Sequence, residues 1–230
     1  MKAMILAAGL GKRLRPLTLE TPKPLIEVGG RPLIVWHLER LARAGITEIV
    51  INTAWLGEQI EQALGDGHQY GVRIHYSREG TPLETLGGIR RALPMLEGDG
   101  DFLVINGDVW TDFDPARLMA GEGADGRILA TLVLVANPDH RKEGDFVLTD
   151  AGQVLGDGDG TRYTFAGISR LSPELVHQAP ADGERLGPLL KAAADNGRVQ
   201  GIRHDGAWFD VGTHERLAAA DAHVRQYGWS

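Results

Sequence analysis

The sequence contains no cysteine, which excludes disulfides, thiolate zinc sites and a cysteine nucleophile and fits a reducing compartment. It carries no excess of positive charge. Its 24 lysines and arginines face 31 aspartates and glutamates, a formal net charge of −7, so no general basic surface awaits nucleic acid. Long apolar runs are missing too. The longest, Ile128–Ala136, falls well short of the ~18–20 residues that span a bilayer. Ala3–Ala8 is too short for the core of a signal peptide and runs straight into a glycine loop. Neither heptads nor hexapeptide repeats occur, so no appended coiled coil or left-handed β-helix is expected. A cytoplasmic chain with no membrane or nucleic-acid partner is the expectation. No assembly segment is evident, so a monomer is expected.

What the chain does have is glycine, 31 of 230 residues, and 43% apolar residues, enough to bury the core of one large α/β domain over residues 1–230. Short apolar runs at Lys2–Ala7, Glu48–Thr53, Val72–Ser77, Asp101–Asn106 and Ile128–Val135 predict strands. Among them, Leu33–Ala44, Leu56–Leu64 and Leu83–Leu96 carry helical spacing. Leu38, Leu41 and Ala42 share one face, as do Ile60, Ala63 and Leu64. Strands alternating with helices imply a mostly parallel α/β sheet with helices on both faces. Near Gly144 the rhythm changes. Asp145–Thr149 and Gln153–Leu155, separated by Asp150-Ala151-Gly152, predict a hairpin, hence an antiparallel insert in the second half of a mixed sheet. A strand at Thr161–Ser169, helices near Pro173–Gln178 and Pro188–Asn196, a strand pair Val199–Arg203 with Ala207–Val211, and a closing helix Thr213–Tyr227 complete the pattern.

The first strand runs into Ala7-Ala8-Gly9-Leu10-Gly11-Lys12-Arg13-Leu14-Arg15. A buried strand ending in such a turn lets backbone N–H groups approach an anion closely. Two familiar motifs fail on spacing. A dinucleotide fingerprint needs a small residue where Leu14 stands, and a Walker loop needs glycine at Leu6 and Ser or Thr at Arg13. What remains is either a solvated turn or a phosphate-type loop with cations of its own, Lys12, Arg13 and Arg15. Thr21-Pro22-Lys23-Pro24 shifts that balance. Proline fixes its own φ and keeps the preceding residue out of the helical region, so the segment should be stiff and extended, and Lys23 should lose little freedom on docking to a phosphate. A basic loop and a clamped lysine within the first 23 residues of an acidic chain suggest a polyphosphate site.

Phe102-Leu-Val-Ile-Asn106-Gly107-Asp108 is an apolar strand that ends in a carboxylate, and ligands of open parallel sheets sit beyond the carboxyl ends of the strands. Trp208-Phe209-Asp210-Val211-Gly212-Thr213 delivers a second aspartate just before a helix. Alone, each reads equally as a turn or near-cap residue. Paired, and joined by phosphate oxygens and waters, they suit octahedral Mg²⁺. Asp114 before Pro115 suits a helix N-cap instead. In the loop from Tyr76 to Gly88, Glu79 is either part of a capped helix start or an acceptor for the N3–H of a pyrimidine. His37 and His214 need no catalytic role.

The stretch LAAGLGKRLRPLT…TPKPL resembles the signature of the sugar-1-phosphate nucleotidylyltransferases, and the resemblance extends over nearly the whole chain. It implies a Rossmann-like, nucleotide-diphospho-sugar transferase-like fold and transfer of a nucleotide from an NTP to a sugar 1-phosphate. Residues 1–112 would mainly bind the nucleotide and 128–212 mainly the sugar. On this resemblance, backbone at Ala7, Ala8, Gly9 and Gly11 holds the nucleotide, Arg13 binds the triphosphate and Lys23 neutralises the reacting phosphates. Asp108 of NGD and Asp210 of W-x-D-V-G-T take the Mg²⁺ positions, Glu79 and Thr85 the base positions, and Asn106, Gly144 and Gly167 the sugar positions. P-L-E-T-x-G-G at 82–88 departs from the P-L-G-T-A-G common in relatives, and Phe165 replaces a sugar-binding asparagine found in some of them. EIVIN-x-AWLG and NGDVWTDFD are similar to the short N-acetylmuramate α-1-phosphate uridylyltransferases of cell-wall recycling. That similarity implies UTP and N-acetylmuramate 1-phosphate as substrates. A lactyl carboxylate calls for a cation; Arg141, Arg162 and Arg203 are candidates among which the sequence does not choose. The rival readings are a nucleotidylyltransferase for glucose or mannose 1-phosphate, and a non-catalytic nucleotide-sensing subunit. The subunit should have lost a phosphate or metal residue, and this chain keeps them. A dehydrogenase is disfavoured by Leu14.

Overall fold

Residues 1–98, 100–119 and 127–228 are described by a computed structural model. The strands are β1 (Ala3–Leu6), β2 (Glu27–Val28), β3 (Arg31–Pro32), β4 (Glu48–Thr53), β5 (Arg73–Arg78), β6 (Phe102–Asn106), β7 (Val109–Thr111), β8 (Ala130–Val135), β9 (Phe146–Leu148), β10 (Val154–Leu155), β11 (Arg162–Leu171), β12 (Val199–His204) and β13 (Trp208–Asp210). The helices are α1 (Leu17–Glu20), α2 (Leu33–Arg43), α3 (Gly57–Leu64), α4 (Glu84–Leu96), α5 (Ala116–Met119), α6 (Pro173–His177), α7 (Leu186–Asp195) and α8 (His214–Tyr227).

Successive residues of a strand face opposite sides of the sheet, and this alternation divides the interior into two cores. Met4, Val50, Phe102, Val104, Leu132 and Leu134 point to one side, where Leu86, Ile89, Leu175 and Leu190 of α4, α6 and α7 cover them. Ala3, Ile5, Ile49, Ile51, Leu103, Ile105, Val133 and Val135 point to the other, under Leu38, Leu41, Ile60 and Leu64 of α2 and α3. Strands covered on both faces need apolar residues at every position, which is why they read as unbroken runs.

The main sheet runs β5-β4-β1-β6-β11-β8-β12, and the β9–β10 hairpin joins the start of β11. β5, β4, β1 and β6 are mutually parallel, β11 opposes β6 and β8, and β12 is parallel to β8. From β1 the chain first builds outward through β4 and β5, then returns to place β6 on the other side of β1. At such a reversal the loops leave adjacent carboxyl ends in opposite directions and open a crevice.

The hairpin predicted around Gly144 forms as β9 and β10. Val199–Arg203 and Ala207–Val211, however, do not pair with each other. β12 extends the main sheet beside β8, while β13 crosses to the crevice and pairs antiparallel with β7, a strand absent from the sequence reading. The ribbon has only three residue pairs, so its stability comes from packing. Trp110 and Val211 sit in a third core with Val28, Leu33, Trp36, Ala220 and Val224, and the Trp36 and Trp110 rings meet edge to face at 6.1 Å.

Candidate active site

The crevice is a cavity of about 470 Å³ lined by Ala7, Ala8, Gly9, Gly11, Arg13, Lys23, Asn52, Glu79, Thr85, Asn106, Asp108 and Gly212, among others. The glycine loop is shaped locally. Gly11 has φ +60°, and a methyl group there would sit 2.7 Å from Thr18 Cγ2. The buried Thr18 also donates its hydroxyl to the Gly11 carbonyl at 2.9 Å, which ties the loop to α1. Lys23 stands on a rigid segment, although not on the extended one that the flanking prolines predict. Residues Lys23–Leu25 form a single 3₁₀ turn, closed by Leu25 N–H to the Pro22 carbonyl at 2.8 Å. Pro24 fits because a first-turn residue has no N–H to contribute.

Lys23 Nζ donates to Asp108 Oδ2 at 2.7 Å; the lysine side chain is 10% exposed and the aspartate 40%. A nearly buried ammonium requires such a partner. Beside it, Ala7 N–H donates to Asn52 Oδ1 at 2.8 Å, and Asn52 Nδ2 donates to Glu79 Oε1 at 2.7 Å. Glu79 Oε2 in turn accepts Leu83 N–H at 3.0 Å. The chain of bonds joins the glycine loop, the end of β4 and the start of α4, and it leaves no room for a side chain at Gly88, whose Cβ would lie 2.7 Å from Glu79 Oε1. The Thr85 hydroxyl oxygen accepts Leu186 N–H at 3.0 Å, which seats α7 against α4.

Asp210 reaches this region through the β7–β13 ribbon. It lies opposite Val109, and Val211 N–H donates to the Asp108 carbonyl at 2.8 Å, so the two aspartates end neighbouring strands. Asp210 Oδ2 accepts from Arg216 Nη1 at 2.7 Å and lies 3.3 Å from His140 Nε2. Two carboxylates on adjacent strand ends, both partly open and both balanced by cations, have the hard oxygen chemistry that Mg²⁺ requires.

The sugar candidates are divided. Gly167 lies where the β11–β8 register shifts, with φ +75°, and an added Cβ would be 2.6 Å from Asn106 Nδ2. Gly144 lines a separate, more open depression with Asn137, Lys142, Asp157, Arg162 and Lys191. All three candidate arginines already have acidic partners: Arg141 with Asp145 at 3.0 Å, Arg162 with Asp157 at 3.1 Å and Arg203 with Asp205 at 2.7 Å. Asp114 Oδ1 accepts Ala116 N–H at 2.9 Å, the expected cap of α5. His37 is buried, and desolvation together with the nearby Arg40 lowers its pKa to about 4, despite a hydrogen bond to the Val109 backbone.

Residues 2–156 match the nucleotidyl transferase family. The N-acetylmuramate alpha-1-phosphate uridylyltransferase of Neisseria meningitidis serogroup B is 51% identical over 226 residues, covering 96% of this chain and 97% of that protein. The chain belongs to the nucleotidyl transferase family. The uridylyltransferase of the same name from Caulobacter vibrioides is 34% identical, covering 97% of each chain. The mannose-1-phosphate guanyltransferase of Aspergillus oryzae is 33% identical over 92% of this chain but 61% of its own length. In fold, this nucleotidyl transferase is similar to a Bacillus anthracis protein solved with sucrose, with TM-score 0.86 at 23% identity over 100% of this chain and 97% of that one.

Sequence reasoning missed Asn52 and Arg216. Asn52 had a signal: like Asn106 it is a polar residue closing an apolar strand, and both register with Leu6 of β1. Arg216 had none that separates it from an ordinary surface arginine of a helix.

Proposed function

We propose that this nucleotidyl transferase moves UMP from UTP to N-acetylmuramate 1-phosphate, releasing UDP-N-acetylmuramate and pyrophosphate, in the cytoplasm as part of cell-wall recycling. The observation that carries it is the convergence of the glycine loop, Arg13 and the Lys23–Asp108 pair on one crevice, with the Asp210 strand end hydrogen-bonded alongside Asp108. The near-full-length likeness to the Neisseria enzyme supports the choice of base and sugar. No described helix is long and apolar enough to cross a membrane.

The chemistry requires no enzyme-bound intermediate. A phosphate oxygen of the sugar 1-phosphate, already anionic, attacks the α-phosphorus in line, and the bond to pyrophosphate breaks. No general base is needed, so the protein's work is positioning and charge neutralisation. Backbone at Ala7, Ala8, Gly9 and Gly11 admits the nucleotide closely. Arg13 and Lys23 offset the phosphate charge. Glu79, held by Asn52 and Leu83, keeps a second lone pair on each oxygen for the uracil N3–H, and Thr85 keeps its hydroxyl proton to donate. Asn106 and Gly167 face the sugar in this reading, while Gly144, in its separate depression, stands apart from them. Mg²⁺ would be held by Asp108 and Asp210 and would neutralise phosphate oxygens.

Pyrophosphate release over a grid of UTP, dTTP and GTP against N-acetylmuramate, glucose and mannose 1-phosphates tests the assignment. The expected result is turnover with UTP and N-acetylmuramate 1-phosphate. Turnover with a hexose 1-phosphate and none with the muramate would overturn the sugar assignment.

A further inference from the structure

Positive groups crowd around Gly212. Arg13 reaches it from the glycine loop and Arg216 from α8. A methyl group added at Gly212 would lie 3.1 Å from Arg13 Nη2 and would collide with Arg216 Nη2. Arg216 is also in the first turn of α8, three residues after its capping Thr213. A cation there opposes the helix dipole, and two adjacent guanidiniums repel each other. The helix dipole and the neighbouring guanidinium both disfavour this placement, so an anion has to justify it. Asp210 supplies one, through Arg216 Nη1 at 2.7 Å. It does not use the whole guanidinium, since Arg216 Nε is buried with no hydrogen-bond partner among the described residues. The same Nη1 also meets His140 Nε2 at 2.6 Å, but Arg13 makes no ion pair among the described residues, so the corner keeps more cationic donors than Asp210 and His140 occupy.

We propose that Arg216 is a second phosphate-binding guanidinium, which with Arg13 grips the terminal phosphates of the nucleoside triphosphate and the pyrophosphate derived from them. The inference rests on the reading of this cavity as the triphosphate site. Asp210 holds Arg216 in the substrate-free protein. It is also one of the two carboxylates proposed for Mg²⁺, and in that role it gives up its hydrogen bond to Arg216. The guanidinium then turns its fork, including Nε, toward phosphate oxygens beside Arg13. Gly212 and Arg13 both line the triphosphate cavity, which favours phosphate over the sugar's carboxylate as the anion.

Equilibrium binding of UTP, UMP, inorganic pyrophosphate and N-acetylmuramate 1-phosphate to wild type, Arg216→Gln, Arg216→Lys and Arg13→Gln, measured by calorimetry with Mg²⁺, tests it. Arg216→Gln should weaken UTP and pyrophosphate about tenfold or more, the usual scale of a lost charge-assisted pair, and leave UMP and the sugar phosphate within about twofold. Arg216→Lys should recover only part of the loss, because an ammonium does not reproduce the fork. It keeps a charge for Asp210, so it still decides the matter if the glutamine variant fails to fold. Unchanged UTP and pyrophosphate binding in a folded variant, or a loss confined to the sugar phosphate, would overturn the proposal. If Arg13→Gln binds UTP normally, the triphosphate reading itself falls; if only Arg216→Gln does, that reading stands and this inference alone is lost.

Discussion

Two ion pairs of the same length lie at neighbouring strand ends beside the crevice, Lys23–Asp108 and Arg216–Asp210, each at 2.7 Å. Their supports differ. Asp108 lies two residues past the end of β6, a strand hydrogen-bonded on both sides in the middle of the main sheet, and Lys23 sits on a turn stiffened by two prolines. Asp210 ends a two-stranded ribbon outside that sheet, and Arg216 rides on a helix whose apolar anchors, Ala220 and Val224, belong to the small third core. The first wall is a fixed platform. The second is held mainly by side-chain packing, and its arginine has a carboxylate to leave and an unused donor to satisfy. The comparison suggests a division of labour in which one wall locates the triphosphate and the other adjusts to it.

The sharpest way to break this comparison is to remove each carboxylate. Asp108→Ala and Asp210→Ala should each reduce pyrophosphate release by roughly 10³-fold, the scale of losing a group that neutralises charge in the transition state. They should differ in stability. Asp108→Ala strands a lysine that is only 10% exposed, and it should cost about 1–2 kcal/mol after discounting for the exposure of Asp108 itself. Asp210→Ala strands Arg216, whose side chain is more exposed at 18% and which keeps His140 as a neighbour, so its melting temperature should stay closer to wild type. Equal melting temperatures would remove the contrast between the walls.

A smaller effect is expected from the strut behind the first wall. Glu79→Gln puts an amide where both Asn52 Nδ2 and Leu83 N–H require acceptors, so one donor loses its partner at about 1–3 kcal/mol. The KM for UTP should rise about tenfold while the KM for the sugar phosphate holds, since a misplaced side chain weakens positioning of the nucleotide alone. Smaller again is Gly167→Ala. It strains a φ of +75° and presses on Asn106, costing about 1–3 kcal/mol; kcat/KM for the sugar phosphate should fall several-fold with UTP binding intact. If the UTP constant moves instead, Asn106 and Gly167 do not belong to the sugar.

The first wall was legible in the sequence because its determinants are contiguous. A strand, a glycine turn and a proline-clamped lysine lie within residues 3–24, and each leaves its mark in local residue choice. The parallel sheet was legible for the same reason: burial on both faces writes itself as apolar runs. The second wall was not. β7 and β13 are three residues long each, too short for a period, and their pairing joins segments about a hundred residues apart through tryptophan packing that no local pattern announces. The expected pairing of Val199–Arg203 with Ala207–Val211 failed because nearness in sequence was the only guide there. Asn52 escaped notice because its hydrogen bonds span 45 and 27 residues. Gly144 was grouped with Gly167 by resemblance, but Gly144 lines a separate depression whereas Gly167 packs against Asn106 of the crevice.

The gentlest test concerns what lies beneath the first wall. His37 of α2 is buried and hydrogen-bonded to the backbone of Val109, the residue after Asp108, and its pKa is lowered to about 4 from 6.5. The unfolded chain therefore binds a proton between these values that the folded protein refuses. Stability is complete above pH ~6.5 and is lost as pH falls toward 4, by at most about 3 kcal/mol from this group. His37→Gln keeps a donor for Val109 but does not titrate, so its melting temperature should fall less steeply over that interval, with the two curves diverging most between pH 6 and 4.5. Parallel melting curves for wild type and His37→Gln would mean that the imidazole is not held neutral, and that the platform under Asp108 is looser than its burial implies.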